Sequence, residues 1–334
     1  MLMKKITIAI IAIVVMGLVA YFGLTLNKPT QTTINSEPIK IGVIVYPGFA
    51  PFFIADEKGY FEKEGVNAKI VLISDPNQAI PLLESNEVQL LFSSADFTTI
   101  IADAGVDAKE IFASDIGYGS DGLLVKNDVN NISDLKGKTI YLGMGYPSHF
   151  LFRYLTKQAG LKNDDVTLID MGADQVGAAF VARQIDYGMS WEPWLSQASE
   201  RKDGKLLFSS KDEPGIITDT FVVRTDTLNS RNEDVKAVVK AWFDSIKFIN
   251  SNPDEANSIM AKNLGLSVED FEAQASTIKF LTYQENLDKF NKEKPLNLYS
   301  LTDKVIEIYS EDGIIQSKPD VNKLIDPSIL KELY

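Results

Sequence analysis

The residues best suited to hold a small anion lie in one short stretch, 139–155. A predicted strand at 139–142 ends in a glycine-rich turn, and a predicted helix begins near Pro147. This arrangement points free backbone N–H groups at one spot, where the helix dipole favours negative charge. Ser148 could cap the helix or donate to a ligand, and His149 is the only histidine in the chain. Taken alone, the stretch fits either an anion site or a well-capped helix with a surface histidine.

Few routes to catalysis are open to this chain. It has no cysteine, which removes disulfides, thiolate metal sites and a cysteine nucleophile. A serine–histidine–acid triad would have to use His149, but no serine sits in a nucleophile elbow. The pair Gly143 and Gly145 lacks the third glycine and the acid of a dinucleotide fingerprint. We therefore expect no enzyme, no cofactor and no metal.

Binding chemistry is better supplied. Aromatic residues fall at predicted strand ends and turns, where small-ligand clefts combine apolar walls with a few polar groups. They are Tyr46, Phe49, Phe52, Tyr118, Tyr146, Trp191 and Trp194. Asp219 precedes a predicted strand, so it is either a solvated turn residue or, beside aromatic faces, the partner of a ligand cation.

The composition limits the kind of protein and its partners. The chain has 334 residues, 45% of them apolar, which is enough for two packed domains. Its net charge is −13, with no basic run, which argues against nucleic acid and against a polybasic membrane patch.

The N-terminus carries an export signal. Two lysines precede the uncharged apolar run 6–26, which is long enough to span a bilayer. We expect a retained anchor rather than a cleaved signal peptide, because the possible cleavage site near Ala20 is poor. Either way the bulk of the chain lies outside the cytoplasmic membrane, in the periplasm or the extracellular space. Residues 27–38 read as a polar linker.

The rest of the chain predicts an α/β fold. Strands at 39–45, 69–73 and 89–92 alternate with helices, the pattern of right-handed βαβ units and a doubly wound sheet. After 224 the pattern becomes mainly helical, and the apolar residues of 235–249 keep a 3.6-residue period.

A faint repeat predicts two similar lobes. Residues 83–96 and 182–193 each read as a helix end, a polar turn, a strand, a serine and a new helix. Two ordinary αβα connections would look the same. If the repeat is real, each lobe places a serine and a helix start where ligands of open α/β sheets bind. We expect lobe 1 at 39–123 and 223–334 and lobe 2 at 124–222, joined by two crossing strands that form a hinge.

Several motifs resemble those of ABC-importer solute-binding proteins for taurine, alkanesulfonates and nitrate, a group that also includes thiamine-pyrimidine binders. The resemblance spans 39–263, and its matching pieces are 59–66, 134–138, 147–149, 191–194 and 219–224. It implies a type II periplasmic-binding fold, a cleft that closes on its solute, and delivery to ABC permease subunits in the membrane. We expect a monomer.

The resemblance also assigns roles. It implies that Ser93 and Ser94 contact a sulfonate, that Ser148 and His149 lie at the anion-holding helix start, that Asp219 holds an ammonium group, and that Trp191 forms a wall. The candidate ligand-binding residues are Tyr46, Phe52, Ser93, Ser94, Tyr118, Tyr146, Ser148, His149, Trp191 and Asp219.

We expect the solute to be a small sulfonate-like anion or zwitterion, taurine or an alkanesulfonate. Because an acid at the cleft would repel a plain anion, Asp219 favours the zwitterion. The alternatives are nitrate, and a thiamine-pyrimidine precursor or other aromatic solute. An enzyme of the pyrimidine-synthase branch is less expected, because its cysteine-rich iron motif cannot exist in a chain without cysteine.

Overall fold

A computed structural model describes residues 37–198 and 201–333 of the protein. The predicted apolar helix 6–26 and most of the predicted linker lie outside the described residues. Within them, no helix is both long and apolar enough to cross a membrane. The described chain is built on two β-sheets, and helices pack on both.

The first sheet has six strands in the order β11-β4-β10-β3-β1-β2. Strand β1 runs parallel to β2 and β3, whereas β10 is antiparallel to both β3 and β4. The strands are β1 (Ile39–Val43), β2 (Ala68–Leu72), β3 (Leu90–Ser94), β4 (Ala108–Gly117), β10 (Thr218–Arg224) and β11 (Ile278–Phe280).

The second sheet has five strands in the order β7-β6-β8-β5-β9. Strand β6 runs parallel to β7 and β8, and β5 is antiparallel to β8 and β9. The strands are β5 (Asp121–Lys126), β6 (Thr139–Leu142), β7 (Thr167–Asp170), β8 (Tyr187–Trp191) and β9 (Gly204–Ser209).

Helices connect the strands and form the C-terminal part. The first seven are α1 (Pro51–Glu57), α2 (Tyr60–Lys63), α3 (Ala79–Glu84), α4 (Ala95–Asp103), α5 (Pro147–Gln158), α6 (Ala173–Val181) and α7 (Trp194–Ala198). The later ones are α8 (Thr225–Ser230), α9 (Asn232–Ser251), α10 (Pro253–Leu264), α11 (Val268–Ala275), α12 (Tyr283–Lys289), α13 (Leu298–Glu311), α14 (Val321–Leu324) and α15 (Ser328–Glu332). Short 3₁₀ turns occupy Pro47–Phe49, Pro76–Gln78, Ile132–Leu135 and Asn163–Asp165.

The two sheets repeat one plan. In each sheet, three parallel strands lie side by side, and an antiparallel strand pairs with the last of the three in chain order. Strand β10 pairs with β3 in the first sheet, and β5 pairs with β8 in the second. The repeat expected from 83–96 and 182–193 falls on β3 and β8, the equivalent strands. The chain passes from the first sheet to the second at segment 118–120 and returns at segment 210–217. The predicted lobe boundaries and hinge stay predictions.

The apolar period predicted for 235–249 marks the buried face of α9. Trp242 is fully buried, and its ring centroid lies 4.8 Å from that of Phe52 and 5.3 Å from that of Phe112. Burial of such large aromatic side chains supplies much of the hydrophobic stabilisation. The core therefore holds β4 and β10 in fixed positions, and β10 carries Asp219 to the site described next.

Candidate functional site

A cavity opens where β1, β3 and β10 of the first sheet meet β5 and β8 of the second. Its empty space is about 590 Å³ when the open solvent at its mouth is counted. Its lining is Ile44, Tyr46, Phe49, Pro76, Phe92, Ser93, Ser94, Phe97, Asp121, Tyr146, Pro147, Trp191, Ile217 and Asp219.

Six of the ten candidate residues line this cavity together. They are Tyr46, Ser93, Ser94, Tyr146, Trp191 and Asp219. They come from both sheets and from sequence positions as far apart as 46 and 219. That these side chains contact a ligand stays a prediction.

Two aromatic candidates lie elsewhere. Phe52 is fully buried, and its ring packs against the rings of Phe221 on β10 and Trp242 on α9. Tyr118 is 42% exposed on the segment between β4 and β5, and the Lys211 ammonium lies over its ring, 5.3 Å from the centroid. Neither residue is part of the cavity lining, and the expectation that they contact a ligand stays a prediction.

His149 also lies outside the cavity lining. It is fully buried, its Nδ1 accepts the N–H of Gly145 at 3.2 Å, and its Nε2 lies 2.8 Å from Asp312 Oδ2. Since Nδ1 accepts, the proton is on Nε2, which donates to Asp312. Its ring also stacks on that of Tyr309 at 5.3 Å. His149 therefore joins α5 to the end of α13 instead of facing a solute.

Ser148 is not part of the cavity lining, although its neighbour Pro147 is. It is fully buried in the first turn of α5, and its hydroxyl has no hydrogen-bond partner among the described residues. Its nearness to Asp121 slightly lowers the pKa of that carboxyl. Of the two residues expected at the anion-holding helix start, His149 therefore pairs with an acid of the protein, whereas the Ser148 hydroxyl is unsatisfied.

Asp219 is at the centre of a row of polar residues across three strands. In the ladders it is directly opposite Ser94 of β3 on one side and Asp115 of β4 on the other. Asp219 is 6% exposed and Asp115 is fully buried. Like charges directly opposite each other destabilise a sheet. The row therefore has a cost to folding, which is typical of a functional site.

Asp121 is a site residue that the sequence reasoning missed. It is the first residue of β5, opposite Trp191 of β8, as Asp219 is opposite Ser94 near the start of β10. The signal that singled out Asp219, an acid just before an apolar strand, was present at Asp121 too. Both acids occupy equivalent places in the repeated plan of the two sheets.

The acids in and around the cavity have raised pKa values. Burial is the largest cause in each case: it raises the pKa of Asp115 and of Asp96 to about 7 and that of Asp121 to about 6. For Asp219, burial and then the charges of Asp115 and Asp121 raise the pKa well above its ordinary value. Desolvation and mutual repulsion both disfavour the charged form.

A buried chain of hydroxyls leads from the cavity to Glu110. The Thr98 hydroxyl donates to Glu110 Oε1 at 2.7 Å, and Ser93 Oγ lies 2.7 Å from Thr98 Oγ1. Because Thr98 has one proton and gives it to Glu110, Ser93 is the donor in the second bond. Ser93 therefore presents lone pairs to the cavity.

Aromatic rings form the walls. The rings of Phe92 and Phe97 stack at 5.8 Å, Tyr146 continues the stack at 6.2 Å from Phe97, and Trp191 lies 5.9 Å from Tyr146. All four residues line the cavity, and aromatic walls suit an apolar body or a cation.

Comparison with known proteins gives a family match. The model of the family described as "NMT1/THI5 like" matches residues 46–256. A Bacillus subtilis protein provisionally named an aliphatic sulfonates-binding protein is 26% identical over 345 aligned positions, covering 99% of this chain and 97% of that protein. The taurine-binding periplasmic protein of Escherichia coli is 26% identical over 226 positions, covering 66% of this chain and 69% of that protein.

Solved structures share the fold. The periplasmic aliphatic sulphonate binding protein SsuA of Escherichia coli superposes with a TM-score of 0.73 at 17% identity, covering 87% of this chain and 92% of that one. The expectation of a two-sheet α/β periplasmic-binding fold is therefore confirmed for the described residues.

Proposed function

Because the chain belongs to the NMT1/THI5-like family, we propose that it is the solute-binding component of an ABC importer, acting outside the cytoplasm. The observation that carries this proposal is the cavity between the two sheets, lined by aromatic rings and buried polar groups. On this proposal the protein captures a small solute there and delivers it to permease subunits in the membrane.

The contact residues of the proposal are the six candidates that line the cavity, together with Asp121. Five of them lie on strands of the two sheets, and Tyr46 and Tyr146 directly precede helical segments. A solute bound among them therefore bridges β3 and β10 on one side and β5 and β8 on the other. The binding energy would then favour a closed arrangement about the crossing segments 118–120 and 210–217, as in hinge closure.

Two observations bear on the solute. The sulfonate names of the relatives support the sequence-based expectation of taurine or an alkanesulfonate. Asp219, buried at the cavity surface, favours the zwitterion over a plain anion such as an alkanesulfonate or nitrate, since only the zwitterion brings a cation to the carboxylate. The aromatic walls keep an aromatic solute as the alternative.

Thermal-shift measurements on the full chain test the proposal. A panel of taurine, alkanesulfonates, nitrate and aromatic amines should contain a solute that raises the melting temperature, since a ligand at about 100 times its Kd adds roughly 2.7 kcal/mol. Trp191→Ala removes a cavity wall and should reduce the shift. Tyr118→Ala, an aromatic truncation outside the cavity, should leave it unchanged. Equal shifts in the two variants would place binding outside the cavity.

A further inference from the structure

The hydroxyl chain Ser93–Thr98–Glu110 connects the cavity surface to a buried acid behind it. Ser93 lines the cavity, its Oγ lies 2.7 Å from Thr98 Oγ1, and the Thr98 hydroxyl lies 2.7 Å from Glu110 Oε1. The Thr220 hydroxyl donates to the same carboxyl oxygen at 3.1 Å. All four side chains are buried, and Glu110 and Thr220 are fully so. The chain therefore passes through the protein interior, from a cavity residue on β3 to an acid on β4.

The hydrogen bonds of this chain run in one direction when Glu110 is ionised. A carboxylate only accepts, so the Thr98 hydroxyl gives its single proton to Glu110. Ser93 then gives its own proton to Thr98, because otherwise two lone pairs would face each other across 2.7 Å. In this state Ser93 presents only lone pairs to the cavity, and these repel the oxygen atoms of a sulfonate or nitrate.

A proton on Glu110 reverses the chain. A protonated carboxyl is a donor, so its Oε1 proton goes to Thr98 Oγ1, and Thr98 in turn donates to Ser93. The Ser93 proton is then free to point into the cavity. Glu110 gains one proton from water, and the two hydroxyl groups only rotate, so no other bond to hydrogen is broken. Ser93 thereby changes from an acceptor into a donor for an oxyanion.

An oxyanion in this cavity depends on such neutral donors. No lysine, arginine or histidine is among the described residues that line the cavity. The other lining serine, Ser94, accepts the N–H of Phe97 at 3.4 Å as the cap of α4, and its hydroxyl hydrogen-bonds the Asp96 carboxyl. The direction in which Ser93 donates therefore affects which solute the cavity accepts.

The surroundings of Glu110 favour its protonated form. Its Oε2 is buried and has no hydrogen-bond partner among the described residues. Burial raises the pKa of Glu110 to about 7, although the hydrogen bonds from Thr98 and Thr220 lower it. A buried carboxylate with one unsatisfied oxygen is costly to keep ionised. A bound anion that needs Ser93 as a donor adds to this preference.

The titratable groups around Glu110 on the neighbouring elements are mainly acidic. Burial raises the pKa of Asp96 on α4 and of Tyr299 on α13, and the charge of Glu110 adds to both shifts. Asp326 meets Glu110 through its backbone N–H, which donates to the Glu110 carbonyl at 2.9 Å. Lys109 precedes Glu110 on β4, where successive side chains point to opposite faces of the sheet. Each of these acids makes a proton on Glu110 more favourable.

We propose that Glu110 controls anion binding from behind the cavity: an oxyanion is accepted at Ser93 when Glu110 is protonated, so each bound anion brings one proton to Glu110 through the hydroxyl chain. This inference rests on the proposed function and adds Thr98 and Glu110 to the residues that determine which solute binds. Both are positioning residues, because they act through Ser93 and do not touch the solute.

Calorimetry with ethanesulfonate on the full chain measures this proton. Ethanesulfonate is the anion of a strong acid, so its own charge does not change with pH. The dependence of the binding enthalpy on the ionisation enthalpy of the buffer gives the number of protons taken up. At about pH 8 the native chain should take up close to one proton per ethanesulfonate, and affinity should rise up to about tenfold for each unit by which the pH is lowered towards 7. Binding without proton uptake would overturn the inference.

Variants of Thr98 separate the hydroxyl chain from simple charge repulsion. Thr98→Val removes the hydroxyl but leaves the Glu110 charge in place. Ser93 can then donate to the anion at any pH, so proton uptake should be lost and affinity at about pH 8 should rise up to roughly tenfold. Thr98→Ser restores a hydroxyl and should restore the native proton uptake. Melting temperatures of the ligand-free variants show that they are folded.

Glu110→Gln is the second variant. Its amide can donate to Thr98 without taking up a proton, so it too should bind ethanesulfonate without proton uptake. Glu62→Gln removes an exposed acid on α2 and should behave like the native chain. Proton uptake that is lost in Glu110→Gln but kept in Thr98→Val would show charge repulsion alone and overturn the inference. Uptake kept in both variants would overturn it as well.

The outcomes distinguish this inference from the proposed function. If ethanesulfonate binds neither the native chain nor Glu110→Gln, while another solute of the panel loses its thermal shift in Trp191→Ala, the inference fails and the proposed function stands. If no solute of the panel depends on Trp191, both fail.

Discussion

At the residue scale, the close packing around Asp115 explains why a glycine occupies position 48. A Cβ placed on Gly48 would lie 2.2 Å from Asp115 Oδ2 and 2.5 Å from Tyr46 Cε1. Both neighbours are buried, and Tyr46 lines the cavity. Because Gly48 has no Cβ, the Asp115 carboxyl and the Tyr46 ring have room to pack against the backbone there.

Gly48→Ala should therefore cost stability and affinity together. Overpacking of this kind costs about 1–3 kcal/mol, and displacement of Tyr46 should weaken any cavity ligand. Gly105→Ala is the control: its φ of +83° makes alanine strained, but nothing lies within 4 Å of the new atom. It should lower the melting temperature and leave ligand affinity unchanged. Full ligand affinity in Gly48→Ala would show that the contact does not shape the site.

The residue scale also shows where sequence reasoning succeeds and fails. Asp219 and Tyr146, which the sequence predicts as site residues, line one cavity because acids before strands and rings after them come to the same sheet edge. Their contact with a ligand stays a prediction. His149 lies outside the cavity lining although Pro147 is part of it, because a helix turns about 100° per residue and residues two apart face different directions. Which face of a helix points at a cavity depends on how the helix packs against other elements, and the sequence of the helix alone does not determine this.

At the element scale, α5 and α13 are joined by a buried ion pair. Asp312, just after α13, accepts from Arg153 Nε at 2.6 Å and from Asn163 Nδ2 at 2.8 Å, in addition to His149. Burial raises the pKa of Asp312, but the hydrogen bonds from His149 and Arg153 lower it more, so that it lies below its ordinary value. The pair connects a helix of the second sheet to one that packs on α4 of the first.

Asp312→Asn should destabilise the fold by about 3 kcal/mol, the cost of leaving a buried cation without its partner. Glu311→Gln is the matched control, because Glu311 pairs with Lys157 while 45% exposed. An exposed pair contributes at most about 1 kcal/mol. Urea unfolding of both variants measures the difference, and equal small losses would show that the Asp312 cluster is not a structural link.

Element prediction from sequence succeeded for interior strands and failed for three of the four edge strands of the described sheets. The interior strands β1, β3 and β6 and the edge strand β2 were predicted within a few residues of their bounds, whereas β7, β9 and β11 were not predicted. All three of these lie at sheet edges. Edge strands bury one side only and β11 has three residues, so their sequence pattern is weak.

At the scale of the whole molecule, the cavity acids make stability depend on pH. Asp96 and Asp115 have folded-state pKa values of about 7 and Asp121 of about 6, against about 4 in the unfolded chain. Between those values the folded protein binds more protons than the unfolded one. Stability of the ligand-free protein is therefore highest below this window and is lost as the pH rises through it.

We expect the free energy of unfolding to fall between about pH 4 and pH 7, by up to about 1.4 kcal/mol per pH unit for each acid concerned. Asp115→Asn should flatten the profile. Denaturant unfolding without ligand at several pH values measures it. A flat or rising profile in the native chain would contradict the assignment of these carboxyls as buried without a positively charged partner.

The central claim is that the cavity between the two sheets holds the solute, and a crystal structure of the full chain with the solute that gives the largest thermal shift tests it most directly. We predict that the solute lies between residues of both sheets, with Ser94 and Asp219 on one side and Trp191 on the other. A solute bound outside the cavity, in contact with none of these residues, would contradict the account.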